Sequence, residues 1–203
     1  MKKQPQHLIL YAHPSKRSFS NQLKERISIE SIKHGWKPVI RDLYQMGFDP
    51  VLSPSDLEGF KNGKVSKDIQ SEQELVRNSD LITIIYPLWW AGFPAILKGY
   101  IDRVFSYNFA YRVGNKGLEG LLSSKKVVLF TTMGNSLEEY EAKNLIQAFR
   151  HTMGTEIFTF CGMEILNHQF FAQVSDTDTG AHEILFKQAS DCYQPFWKPL
   201  VVN

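Results

Sequence analysis

The run Leu81-Ile82-Thr83-Ile84-Ile85-Tyr86 limits the possible folds more than any other stretch of the chain. It is apolar at consecutive positions rather than alternate ones, the pattern of a parallel strand covered on both faces. Parallel strands need long crossover connections, which are usually helices. The flanking sequence supplies them. Upstream, His7-Leu8-Ile9-Leu10-Tyr11 reads as a short buried strand, and Phe19, Leu23 and Ile27 then recur at i, i+4 and i+8 on one helical stripe. That helix is expected to run out near Gly35, which can serve as a C-cap. Pro38-Val39-Ile40-Arg41-Asp42-Leu43 reads as a second strand, placed near a sheet edge by its polar positions. Residues 44–67, with Pro50, Pro54, Gly59 and Gly63, read as loop, and residues 68–78 as a polar helix. Pro87 ends the central strand. Pro94 suits position N1 of a helix whose inner face carries Leu97, Ile101 and Phe105.

Residues 106–124 read as a long aromatic, glycine-bearing loop and residues 125–131 as a further buried strand. A turn at residues 133–136 precedes a region of helical character to about Cys161. Residues 164–174 resemble a last strand. Residues 179–197 close the pattern as an amphipathic helix with Ile184, Leu185, Ala189 and Cys192 inward, kinked or ended by Pro195. Five strands alternating with helices predict one α/β domain over residues 1–203, a doubly wound five-stranded parallel sheet with helices on both faces. In such sheets ligands bind beyond the carboxyl ends of the strands, at a topological switch point. The loops after Tyr11, Tyr86 and Thr131 are therefore the ones to inspect.

Composition removes several alternatives. The 203 residues carry a net charge of +2 with both signs interspersed, which argues against a nucleic-acid or membrane surface. No uninterrupted apolar run approaches the roughly 20 residues that span a bilayer. The basic start is followed by an apolar stretch too short for a signal peptide, so a cytoplasmic protein is expected. The six histidines form no HxxxH or HExxH pattern, which leaves a metal site unsupported. Cys161 and Cys192 lack CxxC spacing, and Cys161, among Phe158, Phe160 and Met163, is expected to be a buried reduced thiol.

Three loops can hold a ligand. The first, Ala12-His13-Pro14-Ser15-Lys16-Arg17-Ser18-Phe19-Ser20-Asn21, joins a strand end to a helix start without a glycine pattern. Its backbone N–H groups, hydroxyls and helix end suit a phosphate; ordinary capping by Ser18 or Ser20 accounts for the same residues. The second, Pro87-Leu88-Trp89-Trp90-Ala91-Gly92-Phe93-Pro94, carries adjacent tryptophans that cannot both enter a core from an extended segment. An exposed indole calls for a flat partner, either a planar ring such as an isoalloxazine or a dimer interface. In the third, Thr131-Thr132-Met133-Gly134-Asn135, Gly134 permits close backbone approach and the threonines offer partners for a ring's polar edge. A plain strand-to-helix turn uses the same residues.

The segments AHPSKRSFSNQLKE (residues 12–25), YPLWWAGFPAILKGYIDRVFSYNFAY (86–111) and KKVVLFTTMGN (125–135) resemble the NAD(P)H:quinone oxidoreductase (DT-diaphorase) family and its bacterial NAD(P)H dehydrogenase relatives. DLYQMGFDPVLS (42–53) and FCGMEIL (160–166) continue the resemblance more loosely. It implies a flavodoxin-like fold and a homodimer with flavin near the subunit interface. His13, Ser18, Phe19 and Ser20 would surround the flavin phosphates. Pro87, Leu88, Trp89, Trp90 and Ala91 would line the ring, with Thr131, Thr132, Met133 and Gly134 on its other edge. Asp102 matches an acidic position near the cofactor, while Phe109 and Tyr111 would wall the acceptor pocket. The chain departs from the family at Trp89, where a glutamine is usual, and at Met133, where a glycine is usual. Of the tyrosine and histidine expected after the third loop, only Tyr140 has a plausible counterpart. His151 lies too far along.

The resemblance implies hydride transfer from NAD(P)H through FAD, with FMN as rival, to a quinone or similar small acceptor. The flavin carries that chemistry and the protein positions it. Two other classes stay open: a regulatory flavoprotein subunit of a membrane transport system, and a flavodoxin-like electron carrier. Such carriers tend to be strongly acidic, and a sequence pI near 8.4 argues against that reading.

Overall fold

The computed structural model describes residues 4–115, 117–174, 179–194 and 196–197. Its elements are β1 (Gln6–Tyr11), α1 (Phe19–Lys33), β2 (Lys37–Asp42), α2 (Pro54–Asn62), α3 (Lys67–Asn78), β3 (Leu81–Pro87) and α4 (Ala95–Val104). There follow β4 (Tyr111–Gly114), β5 (Gly117–Gly120), β6 (Lys126–Thr132), α5 (Leu137–Ala142) and α6 (Leu145–Phe149). A π-helical segment (Arg150–Thr159), β7 (Glu164–Phe171) and α7 (Thr179–Asp191) complete the order.

Five strands form one all-parallel sheet in the order β2-β1-β3-β6-β7. Every residue of β3 is buried, as its unbroken apolar run requires of a central strand. β2 sits on an edge, where its polar positions reach solvent. Side chains of alternate residues feed two cores. Leu8 and Leu10 of β1 pack with Ile69 and Val76 of α3 and Leu97, Tyr100 and Val104 of α4. Ile9 and Tyr11 pack with Phe19, Leu23 and Ile27 of α1 and Phe186 and Ala189 of α7. Helices thus cover both faces, and the chain turns to opposite faces after β1 and β3. The switch point lies between those strands.

Four expectations need correction. Residues 44–67 are not all loop: α2 forms because Ser53 and Asp56 make a reciprocal capping box and Pro54 supplies a preset φ at the first turn. Residues 106–124 contain the antiparallel pair β4–β5. Pro94 occupies the N-cap position rather than N1, so the helix starts one residue later. In α7 Ala189 is buried and Leu185 packs against the same core, as does Cys192 just past the helix, but Ile184 is exposed and Phe186 takes the inward position in its place. The break expected at Pro195 lies outside the described residues. Gly35, just past α1, adopts a left-handed φ of 78°, the conformation a glycine C-terminal stop requires. Cys161 is buried, and burial pushes its thiol up to about 11. No helix among the described residues is long and apolar enough to cross a membrane, and no group of three metal-binding side chains occurs among them.

Candidate functional site

The first, second and third loops leave the carboxyl ends of three adjacent strands, β1, β3 and β6. Direct bonds join them. The backbone N–H of Leu88 donates to the Thr132 carbonyl at 2.8 Å, fixing the second loop to the third. Ser20 and Thr132 share a buried hydroxyl–hydroxyl hydrogen bond of 3.0 Å, fixing the first to the third. His13 and Trp89 approach with ring centroids 6.0 Å apart, linking the first and second. One rim carries all three.

The first loop is built by a cap. Ser18 Oγ accepts from the Asn21 N–H at 3.1 Å and donates to the Ser15 carbonyl at 2.8 Å. The N–H groups of Phe19 and Ser20 have no hydrogen-bond partner among the described residues, and the first turn of α1 holds no acidic side chain. The positive helix end therefore stays uncompensated, an arrangement suited to an anion. The Phe19 ring plays no part at the rim, because it stacks on Phe186 with centroids 5.0 Å apart. His13 Nδ1 accepts from the Ser15 N–H at 3.0 Å, and burial lowers its pKa.

The second loop is a two-residue reversal. Trp89 and Gly92 exchange backbone hydrogen bonds of 3.1 and 3.0 Å, and the residues between them, Trp90 and Ala91, take φ values of 49° and 57°. Consecutive left-handed residues belong to a type I′ turn, which ordinarily uses Asn-Gly. Trp90 at its tip is fully exposed and Trp89 is 40% exposed. The chain thus spends conformational strain to hold a bare indole over the rim, a pattern that marks function. We expect Trp90→Asn/Ala91→Gly to raise apoprotein stability by about 1–2 kcal/mol. Flavin retention should fall in the same variant. Urea denaturation together with cofactor titration checks both.

In the third loop Thr131, Thr132 and Met133 are buried, and Gly134 and Asn135 open outward. Met133 departs from the family pattern without reshaping the rim, since its side chain sits in the core and its N–H donates to the Phe171 carbonyl at 2.8 Å. A Cβ built on Gly134 would meet nothing within 4 Å, so the protein itself does not demand glycine there. A bound ring would. Gly134→Val is therefore expected to leave apoprotein stability within about 0.5 kcal/mol and to weaken flavin binding at least tenfold. Equal losses of both would remove the cradle reading.

Other predicted residues lie elsewhere. Tyr140 on α5 is half-buried against Phe149, with ring centroids 6.0 Å apart. Phe109 is buried beneath Arg77, whose guanidinium lies 5.3 Å from the ring centroid. Tyr111 packs edge-on to Tyr107 and near Phe160. No ring contact or hydrogen bond among the described residues joins Phe109 or Tyr111 to the three loops of the same chain. Asp102 pairs with Lys98 at 2.6 Å on the surface of α4. A cavity of about 660 Å³ beside the amino-terminal half of β7 contains none of the predicted residues. The sequence reading missed Tyr86 and His168, buried polar groups directly behind the rim, because a lone histidine in a strand carries no motif.

Comparison with known proteins matches this geometry. A family model described as a flavodoxin-like fold matches residues 5–192. An uncharacterized NAD(P)H oxidoreductase of Haemophilus influenzae is 40% identical over 185 residues, 91% of this chain and 92% of that protein. NAD(P)H dehydrogenase [quinone] 1 of Cavia porcellus is 33% identical over 84% of this chain and 69% of its own length. The solved NAD(P)H:quinone oxidoreductase from Methanothermobacter marburgensis superposes with a TM-score of 0.83 at 27% identity, covering 93% of this chain and 97% of that one. With its strand order, its rim of three joined loops and these relatives, the chain belongs to the flavodoxin-like fold family.

Proposed function

We propose that this chain is a cytoplasmic flavin-dependent NAD(P)H oxidoreductase, one flavodoxin-like domain that delivers a hydride to a quinone or similar small acceptor. The observation that carries the reading is the rim itself: free helix N–H groups, a bare indole and an open glycine, held together by the hydrogen bonds of Thr132. When bound, the flavin supplies the hydride chemistry. The N–H groups of Phe19 and Ser20 would hold its phosphate at the positive end of α1, with Ser18 fixing that turn. Pro87, Leu88, Trp89, Trp90 and Ala91 would form the aromatic wall, shielding one ring face from water. On the opposite edge the Gly134 N–H, unpaired among the described residues, would donate where negative charge develops, and the Tyr140 hydroxyl is the second donor in this reading. His13 would orient the phosphate arm through Nε2, which has no hydrogen-bond partner among the described residues.

We favour FAD over FMN because a cavity of about 300 Å³, lined by Tyr11, His13, Pro14, Lys16, Asp42 and Tyr44 among others, adjoins the first loop. It offers room for a second nucleotide beside the phosphate site. A homodimer is supported by exposed Val51, Leu52 and Leu57 next to an apolar cavity of about 350 Å³ bordered by Tyr107 and Tyr111. In that assembly Phe109 and Tyr111 would wall the acceptor pocket of the facing subunit. Leu57→Glu is expected to shift sedimentation from dimer to monomer.

The deciding experiment is to purify the protein, record its visible spectrum, identify the released flavin by mass, and assay NAD(P)H oxidation with a quinone. A protein that neither carries nor takes up FAD or FMN would refute the proposal.

A further inference from the structure

We infer that His168 is the positioning residue that holds the ring-facing second and third loops in register from behind, and thereby sets how tightly oxidised and reduced flavin are bound. The flavin half of this inference rests on the proposed function; the positioning half does not.

His168 lies on β7, a strand that contributes none of the three loops. Its ring is buried, and Nε2 stands 3.0 Å from Thr131 Oγ1 and 3.2 Å from the Tyr86 hydroxyl. Tyr86 and Thr131 face each other in the β3–β6 ladder, at the last pairs before both strands enter their loops. One nitrogen therefore ties the ends of two neighbouring strands. From Tyr86 the contact continues to Phe93, ring centroids 4.7 Å apart, at the foot of the tryptophan turn. From Thr131 only Thr132 and Met133 separate the tie from the open Gly134. Behind the histidine, Phe170 stacks on it at 4.3 Å and Arg150 covers Phe170 at 5.2 Å, which fixes the ring plane.

The arrangement is costly as mere packing. Nδ1 is buried without a hydrogen-bond partner, turned toward Gly154, where a built Cβ would sit 3.4 Å away. An unsatisfied buried polar atom is destabilising, a cost that an apolar residue of the same size would avoid. What an apolar residue cannot supply is the bond to both strand ends. Burial, then the neighbouring Arg150 charge, lowers its pKa to about 3, so the ring stays neutral and adds no charge beneath the cofactor.

The test compares His168→Gln, whose amide nitrogen falls near the Nε2 position, with His168→Leu, which keeps bulk and loses the bond. Hydrogen exchange of the apoprotein is read at residues 89–93 and 133–135. In the Leu variant those amides should exchange on the order of tenfold faster, with the amides of β1 and β2 unchanged; the Gln variant should return to wild type. If the Leu variant fails to fold, His168→Asn replaces it, because its amide reaches only the Nδ1 side. With flavin bound, the Leu or Asn variant should also alter the ratio of affinities for oxidised and reduced flavin, read as a displaced midpoint potential that Gln restores. Unchanged exchange at both loops, or a uniform acceleration that Gln does not repair, overturns the inference. Wild-type protein that binds no flavin would remove the proposed function, while the exchange result still decides the positioning role.

Discussion

Between pH 7 and pH 5 the protein is expected to lose about 4 kcal/mol of unfolding free energy, from two histidines alone. His7 is fully buried between Ser31 at 2.5 Å and Thr83 at 2.7 Å, and burial lowers its pKa to about 3. His168 is held equally low. An unfolded histidine takes its proton near pH 6.5. Their stabilising contribution is thus whole above that value, and it declines as pH falls toward the folded value near 3. At pH 5 each has lost about 2 kcal/mol, and that figure is insensitive to the folded pKa once it lies well below 5. Carboxylates do not confuse the window. Asp56, whose pKa is lowered by Arg103 and Ser53, keeps its stabilising effect until pH drops below the usual carboxylate range. Urea midpoints at pH 7, 6 and 5 should fall steadily, and His7→Gln should halve the slope even though it weakens the protein at pH 7. A slope that survives both His7 and His168 substitution would rule out this origin.

The second large effect is expected at Arg103. Its guanidinium, 7% exposed, donates from Nε to Asp56 at 3.0 Å and from Nη1 to the Asp49 carbonyl at 2.8 Å, and pairs with Asp68 at 3.2 Å. One side chain on α4 thereby pins the loop before α2, α2 itself and the start of α3. Asp56 is 96% withdrawn from solvent in its side chain and also closes the capping box of α2. Removing the cation strands a buried carboxylate, so Arg103→Met should lose about 3–5 kcal/mol, seen as a melting point lower by about 10 °C. Exchange should rise first in residues 49–62. The double variant Arg103→Met/Asp56→Asn should recover part of the loss, because no uncompensated charge remains. Recovery no better than the single variant would mean the packing of Arg103 over Phe48, at 5.6 Å, matters more than its charge.

Central elements could be read from sequence because burial on two faces leaves a strong trace: β3 and β6 carry consecutive, mostly apolar buried residues, and Phe19, Leu23 and Ile27 mark α1 without ambiguity. Peripheral elements could not. The Pro54, Gly59 and Gly63 that suggested a loop in fact start, accommodate and stop α2: Gly59 lies where a side chain would strike the Lys64 carbonyl, and Gly63 takes the left-handed cap. β4 and β5 are four residues each and mostly outside the core, so their alternation was too brief to register. At the rim, the residue types signalled chemistry but not direction. Phe19 and Met133 reach the rim only through their backbones, which no one-dimensional pattern reveals. The His168 tie was hidden more deeply, since it exists only once three strands are laid side by side.

The outer border of the sheet has a consequence for crowded solution. Where Val127 faces Ile165 and Val128 faces Asn167, Leu166 is an additional residue in β7, and the strand is locally bent at that point. Such a kink spoils the regular comb of amides and carbonyls that another molecule would need to zip onto. Copies of this protein should therefore meet through side chains, at a chosen surface, and resist stacking into endless ribbons even at high concentration.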